Sequence, residues 1–307
     1  MFKEWFHLSP RRIHKRLMAY TATFDPCELI HSHAIDGLEP REGRLTNFLG
    51  TVVDPVYLGD TLQGRSGLVE GEPIPGNWHA CVAEWGACLR ALHLARKTFT
   101  VIELGCGWGC WLNNMAVAAR NVGMQCELVG VEGDTDHLAF ARKTFQENGI
   151  PLEKVALHAG IAAAEDGFAL FPRQKHKGAS WGLKPVFGAT ESQRLAAVQS
   201  ATHDELPMLS LDRVIGSRPR VDLLHIDIQG GELALLGGSL PILAEKVAYI
   251  FVTTHSRSIE KSIHRLMSGD QWILEIERPA ICTMRMTGPR LKIDGVMGWR
   301  NRRLLPA

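Results

Sequence analysis

The sequence predicts an α/β fold: a mostly parallel sheet covered by helices on both faces and closed by an antiparallel strand. Three observations predict it. Short apolar runs of strand character alternate with helical patterns from about residue 98 onward. The first run, FTVIELG, passes through Gly105, Gly107 and Gly109 directly into a helix. Acids stand at or near the ends of the first two runs, Glu103 and Glu132, where open α/β sheets gather their ligands.

The elements follow in order. Residues 1–76 are irregular, with Pro10, Pro26, Pro40, Pro55, Pro73 and Pro75 and the turn cluster GDTLQGRSG, and read as an N-terminal appendage. Their first twenty residues place Arg11, Arg12, Lys15 and Arg16 near Trp5, Phe6 and Leu8, without the apolar core of a signal peptide. Export is not expected. A weak contact of this basic segment with an anionic membrane surface stands as one expectation, a solvated helix as the plainer one. Residues 77–307 carry the main domain. A helix starting near Asn77 repeats Val82, Trp85, Leu89 and Leu92 on one stripe. After FTVIELG, a helix over Trp111 to Asn121 ends at Gly123, and CELVGVEG is the second buried strand. Asp134 then caps a helix whose Leu138, Ala141 and Phe145 share a face, before Gly149 stops it.

KVALHAG is the third strand, followed over 167–200 by a long, polar, glycine-bearing insertion expected to shape the substrate site. VDLLHIDIQ and KVAYIFVTTH are the fourth and fifth strands, separated by the helical GELALLGGSLPILAE. A helix over Ser258 to Met267 leads to WILEIERP and ICTMRM, expected to form the closing antiparallel pair, and 288–307 forms a C-terminal extension.

Composition narrows the function. Of 307 residues, 45% are hydrophobic and 22% charged, enough for a substantial core. A formal charge of +1 provides no broad basic field, so a nucleic-acid partner is not expected. The seven cysteines are odd in number and none forms a C-x-x-C pair, which fits reduced thiols in a cytoplasmic protein. No apolar run reaches the roughly 18 residues of a transmembrane helix, and no internal repeat is visible.

The glycine loop lets the chain turn sharply and lets a ligand approach the backbone. Glycine spacing alone leaves the ligand open. A dinucleotide fingerprint places its third glycine at position 110, where this chain has Cys110. Cys106 and Cys110 read as packing residues rather than metal ligands, and no metal site is expected.

With an acid two residues before the first glycine and another at the end of the next strand, the chain resembles the Rossmann-like class I methyltransferases. That resemblance implies S-adenosyl-L-methionine as cofactor. Glu103 would then meet its methionine amino group and Glu132 its ribose hydroxyls, while Gly160 and Ile161 lie against the adenine. Trp108 or Trp111 would add a flat wall. The second half is more specific: SLDRVIGSRPRVDLLHIDIQGGELALLGG resembles the FkbM-type methyltransferases, with Asp212, Asp227, Gly230 and Glu232 in register over a match from about Thr98 to Pro279. The resemblance implies methyl transfer to a hydroxyl oxygen on a glycan, glycolipid or small secondary metabolite. Two positions depart from the pattern, His225 for the usual lysine and Gln229 for glutamate, and Thr253 replaces the acid of the E-x-H element while His255 is retained.

Methyl transfer to an alcohol requires in-line alignment and removal of one proton. Asp227 and His255, at adjacent strand ends, are the first candidates, with Asp227 orienting and His255 acting as base; His225 shares a strand face with Asp227. Glu232 is expected to cap the following helix, Trp78 and His79 to cover the cofactor, and Trp299, Arg300 and Asn301 either to bind an acceptor or to end a strand. The alternatives are an N-methyltransferase, a metal-assisted transferase and a non-catalytic module that keeps only the cofactor fold.

Overall fold

The computed structural model describes residues 20–306 except 175 and 177, and the backbone only at 59 and 60. The basic N-terminal segment therefore lies outside the described residues. After strand β1 (Thr21–Ala22) and the helix Pro26–His33, a small sheet forms from β2 (Leu45–Thr46), β3 (Val52–Val53) and β4 (Leu68–Val69). The helix Val82–Leu94 leads to β5 (Thr98–Leu104), the helix Cys110–Asn121, β6 (Gln125–Glu132), the helix Thr135–Glu147 and β7 (Val155–Ala159). Next come β8 (Ile161–Ala162), β9 (Gly167–Pro172), the helix Glu191–Gln199 and β10 (His203–Leu209). The chain then continues through β11 (Leu223–Ile226), the helices Glu232–Gly238 and Leu240–Lys246, β12 (Tyr249–Thr254) and the helix Arg257–Met267. It closes with β13 (Trp272–Arg278), β14 (Ile281–Arg285), β15 (Gly288–Ile293) and β16 (Gly295–Asn301).

The main sheet has the order β1-β13-β16-β12-β11-β5-β6-β7. Its strands β12, β11, β5, β6 and β7 run parallel, and β16 enters antiparallel between β12 and β13. Alternation along each strand divides the core in two. Phe99, Val101, Leu223, Tyr249 and Phe251 face one cluster with the helix Val82–Leu94 and with Ile30, Phe48 and Leu49 of the N-terminal part. Ile102, Leu104, Leu224, Ile226, Ile250 and Val252 face the other. Burial on both faces is why these strands read as unbroken apolar runs. The strand order reverses between β5 and β11, which opens a crevice at their C-terminal ends.

Two details differ from the sequence expectation. The first main helix begins at Val82 rather than near Asn77, because the Asn77 side-chain oxygen accepts from the His79 and Ala80 amides and folds 77–80 into a turn. The closing pair is β13 with β16, not WILEIERP with ICTMRM. GVMGWRN supplies the buried partner, whereas ICTMRM is half-buried to exposed and pairs only with β15 as a separate ribbon. Trp299, Arg300 and Asn301 therefore belong to β16 at the end remote from the crevice: Arg300 lies opposite Tyr249, the first residue of β12. Asn301 donates to carbonyls 244 and 247, and Arg300 joins Arg90 on the buried Glu275, so the group closes the sheet and does not meet an acceptor. No helix among the described residues is long and apolar enough to cross a membrane.

Candidate active site

The crevice holds a cavity of about 440 Å³, within the range of small-molecule and cofactor sites. Its floor is the loop after β5. Gly105 has φ +75°, and a side chain there would overlap the Asp227 carbonyl oxygen. Gly107, at φ +52°, lies 2.9 Å from the Trp181 ring when a Cβ is built on it. The loop thus needs glycine both for its left-handed turns and for close approach from two sides.

Glu103, 2% exposed, accepts from the Trp111 and Leu112 amides at 3.3 and 3.1 Å and so covers the N-terminus of the helix Cys110–Asn121. Burial raises its pKa, opposed by His225 and by those amides. Glu132 accepts from the Gly107 amide through one oxygen and from Asp134 through the other, both at 2.8 Å. It also lies 3.9 Å from His137, whose ring stacks on Trp181 at 3.9 Å between centroids. The Gly160 amide donates to the Glu132 carbonyl, which brings Gly160 and the buried Ile161 to the same wall of the cavity. The insertion after β9 covers this wall through Ser180, Trp181, Leu183 and Phe187.

Beyond β11 the chain turns at Gln229, which has φ +56°, and Gly230, φ +112°. This turn aims the Gln229 amide at Asp227, 3.3 Å away. His255 follows β12 and is held between two carboxylates: Nε2 lies 3.2 Å from Asp227 and Nδ1 lies 2.7 Å from Glu232. Burial lowers the pKa of this ring, but the two carboxylates outweigh it and raise it to about 10, so His255 is an imidazolium at neutral pH. For Asp227 burial acts to raise the pKa, and the His255 hydrogen bond and charge outweigh it and hold the carboxyl below the ordinary value. Glu232 is fully buried and accepts from Gly230, Ile228 and His255 through one oxygen, so it braces the turn and the histidine rather than capping its helix. The Asp227 side chain is 34% exposed and lines the cavity.

At the Glu103 end, Trp78, His79, Trp108 and Trp111 surround the cavity with His225. His79 contacts Cys110 Sγ and packs on Trp111 at 4.8 Å. Burial pushes its pKa down to about 3, with His225 adding to the effect, so it is neutral. Its Nδ1 and both nitrogens of His225 are buried without a hydrogen-bond partner. His225 stacks on Phe251 and has Nδ1 3.5 Å from Glu103. Among the described residues, no group of three or more histidine, cysteine, aspartate or glutamate side chains is placed to hold a metal ion.

A model of the FkbM methyltransferase domain matches residues 92–286. The chain belongs to the FkbM methyltransferase family. A protein of Jannaschia sp. (strain CCS1) with a provisional methyltransferase name is 40% identical over 265 residues, 86% of this chain and 95% of that one. The crystal structure of an FkbM methyltransferase from Methylobacillus flagellatus KT aligns at 12% identity and a TM-score of 0.41. The alignment covers 70% of this chain and 54% of that one, so the chain spans about half the length of that protein. A precorrin-6y C5,15-methyltransferase from Geobacter metallireducens GS-15 aligns at 8% identity and a TM-score of 0.39, over 70% and 86% of the two chains.

Of the residues singled out in the sequence, Glu103, Gly105, Gly107, Glu132, Gly160, Ile161, His225 and Asp227 all line the one cavity in this FkbM-family chain. Gly109 caps the following helix with φ +71°, and His255 stands just behind Asp227. Sequence reasoning missed Trp181 and the bracing role of Glu232. The tryptophan in GASWGLKP was the available signal for the first. For the second, the acid of HIDIQGGE and the histidine of VTTH are 23 residues apart and meet only through the sheet.

Proposed function

We propose that the protein is an S-adenosyl-L-methionine-dependent O-methyltransferase acting on a hydroxyl of a glycan, glycolipid or small secondary metabolite in the cytoplasm. The carrying observation is the partly exposed Asp227 carboxylate on the cavity wall, fixed by a doubly bridged His255 imidazolium. Its fit to the cofactor rests on the backbone bared at Gly105 and Gly107, on the Glu132 carboxylate anchored by two amides, and on the unpartnered imidazole nitrogens at the Glu103 end. Glu103, Gly105, Gly107, Glu132, Gly160 and Ile161 would hold the cofactor, which supplies an activated sulfonium methyl group when bound.

The chain's own residues then do two things. Asp227 accepts the hydrogen bond of the acceptor hydroxyl, aims its oxygen, and receives the proton on a carboxylate oxygen as the new C–O bond forms. His255, already protonated, is a poor base in this geometry; it keeps Asp227 ionised and oriented, and Glu232 keeps His255 in place. His79, held neutral by burial in the aromatic wall, and the unpartnered ring nitrogens of His225 beside it offer hydrogen bonds to a bound molecule. Seven free thiols support a reducing compartment.

The test has two arms. Calorimetric titration should show binding of S-adenosylmethionine and none of NAD; tight binding of NAD alone overturns the cofactor. Mass spectrometry of extracts from cells lacking the protein should reveal a hydroxylated metabolite or glycan short of one O-methyl group. A missing N-methyl group instead would overturn the acceptor chemistry.

A further inference from the structure

The ribbon β14–β15 has no part in the site described above, and the residues that build it are unusual for a surface hairpin. It joins the end of β13, where Arg278 pairs with Val296, to the start of β16, where Gly295 pairs with Thr254 at the end of β12. Because His255 follows Thr254, the ribbon rises from the same end of the strands as Asp227 and His255. Its base is held there by two bonds: Arg257 Nε donates to the Ala280 carbonyl at 3.1 Å, and the Ala280 amide donates to Glu260 at 2.7 Å. Beyond that base its two strands pair only with each other.

Register then sorts the side chains. Cys282 lies opposite Leu291 and Met284 opposite Pro289, so these four share one face. Thr283 opposite Arg290 and Arg285 opposite Gly288 form the other, and Lys292 sits at the bulge. Met284 is 80% exposed and Met286, in the turn at the tip, is fully exposed. Residues 281–293 contain Arg285, Arg290 and Lys292 and no acid, and none of the three cations is ion-paired among the described residues. Bare methionines cost free energy in water. With the cations and their long apolar stems on the opposite face, the ribbon is amphipathic and matches a surface that is apolar within and anionic at its boundary.

We propose that the β14–β15 ribbon is a membrane-surface anchor, which lays its Met284, Pro289 and Leu291 face, with Met286 at the tip, into the headgroup region of an anionic bilayer and sets the Asp227 side of the cavity against it. The occupant is the lipid surface itself. The proposal rests on the reading above only for the acceptor, which it narrows to a molecule presented at a membrane; binding to lipid is measured without any methyl transfer.

The experiment is co-sedimentation of the full chain with vesicles of phosphatidylcholine alone or of an equal mixture of phosphatidylglycerol and phosphatidylcholine. The protein should partition to the anionic vesicles, weakly to the neutral ones, and be released by salt. Replacing Arg285, Arg290 and Lys292 together with glutamine should weaken the partition on the order of a hundredfold, at roughly fivefold per cation. M284S with M286S should weaken it about tenfold or more. Unchanged thermal unfolding and S-adenosylmethionine titration confirm that these variants fold. No partition of the native chain, equal partition to both vesicle types, or unaltered binding by the triple variant overturns the proposal. The same holds if binding survives in the triple variant but is lost when Arg11, Arg12, Lys15 and Arg16 become glutamine, which assigns the contact to the N-terminal segment.

Discussion

Replacing His255 with glutamine removes one positive charge and little volume, and the structure sets the size of the effect. Raising an imidazole from 6.5 to about 10 corresponds to roughly 5 kcal/mol of preference for the cation. Part of this is discounted, because Asp227 is one-third exposed and its attraction is screened. The fully buried Glu232 keeps its share, and a buried carboxylate stripped of its cation costs about 3–5 kcal/mol. His255→Gln should therefore lower stability by about 3 kcal/mol near neutral pH, or a Tm fall of roughly 5 °C for a chain of this size. The pH dependence has a definite sign. A folded-state pKa raised above the unfolded one gives stability that is complete below about 6.5 and disappears as pH rises through about 10. The gap between the native chain and the variant should be widest near pH 6 and shrink steadily toward pH 10. Urea unfolding followed by tryptophan fluorescence across that range measures it, and ring-proton resonances of His255 should titrate near 10. A gap that stays constant from pH 6 to 10, or a ring that titrates near 6.5, would refute the doubly bridged imidazolium.

Other outcomes follow from the same geometry. Asp227→Asn should slow methyl transfer by about 10²–10⁴-fold with cofactor affinity nearly intact, which single-turnover kinetics beside calorimetry will separate; equal losses in both would count against a role in proton transfer. Glu132→Ala leaves the Gly107 and Asp134 amides without their acceptor and should weaken S-adenosylmethionine binding by roughly tenfold to a hundredfold; an unchanged Kd would contradict the ribose assignment. Gly105→Ala forces a side chain onto the Asp227 carbonyl in a left-handed turn and should cost about 3 kcal/mol or more in chemical unfolding, so a neutral result would mean the loop relaxes freely. Trp181→Ala removes the ring stacked on His137 and should speed cofactor dissociation in stopped flow while changing stability by less than about 1 kcal/mol.

The sheet was legible because its strands are buried on both faces and its helices carry strong punctuation. Asp134 caps and Gly123 and Gly149 end helices where the sequence places them. The placement of Glu103, the glycines and Glu132 around one cavity was legible for the same local reason, since they sit at or near strand ends whose positions are fixed by pattern. The closing strand was not, because ICTMRM and GVMGWRN have comparable strand character, and only burial against β12 and β13 decides between them. The protonation of His255 was hidden too. A lone histidine after a strand suggests a base at neutral pH, and it takes Glu232, brought from the far side of a turn held at Gln229 in the left-handed region, to reverse that. Proton affinity is a property of neighbours, and neighbours distant in sequence leave no periodicity to read.

The approach of Gly105 to the Asp227 carbonyl, with no room between them for a single methyl group, has an evolutionary corollary. The loop proposed to cradle the donor and the segment that carries the Asp227 carboxylate touch backbone to backbone and shift together or not at all. Selection for a new acceptor can then rewrite the 178–190 cover or the β14–β15 ribbon, which meet the outside, without disturbing the alignment at the centre. Substrate range becomes a property of replaceable parts, while reaction geometry is inherited as one piece.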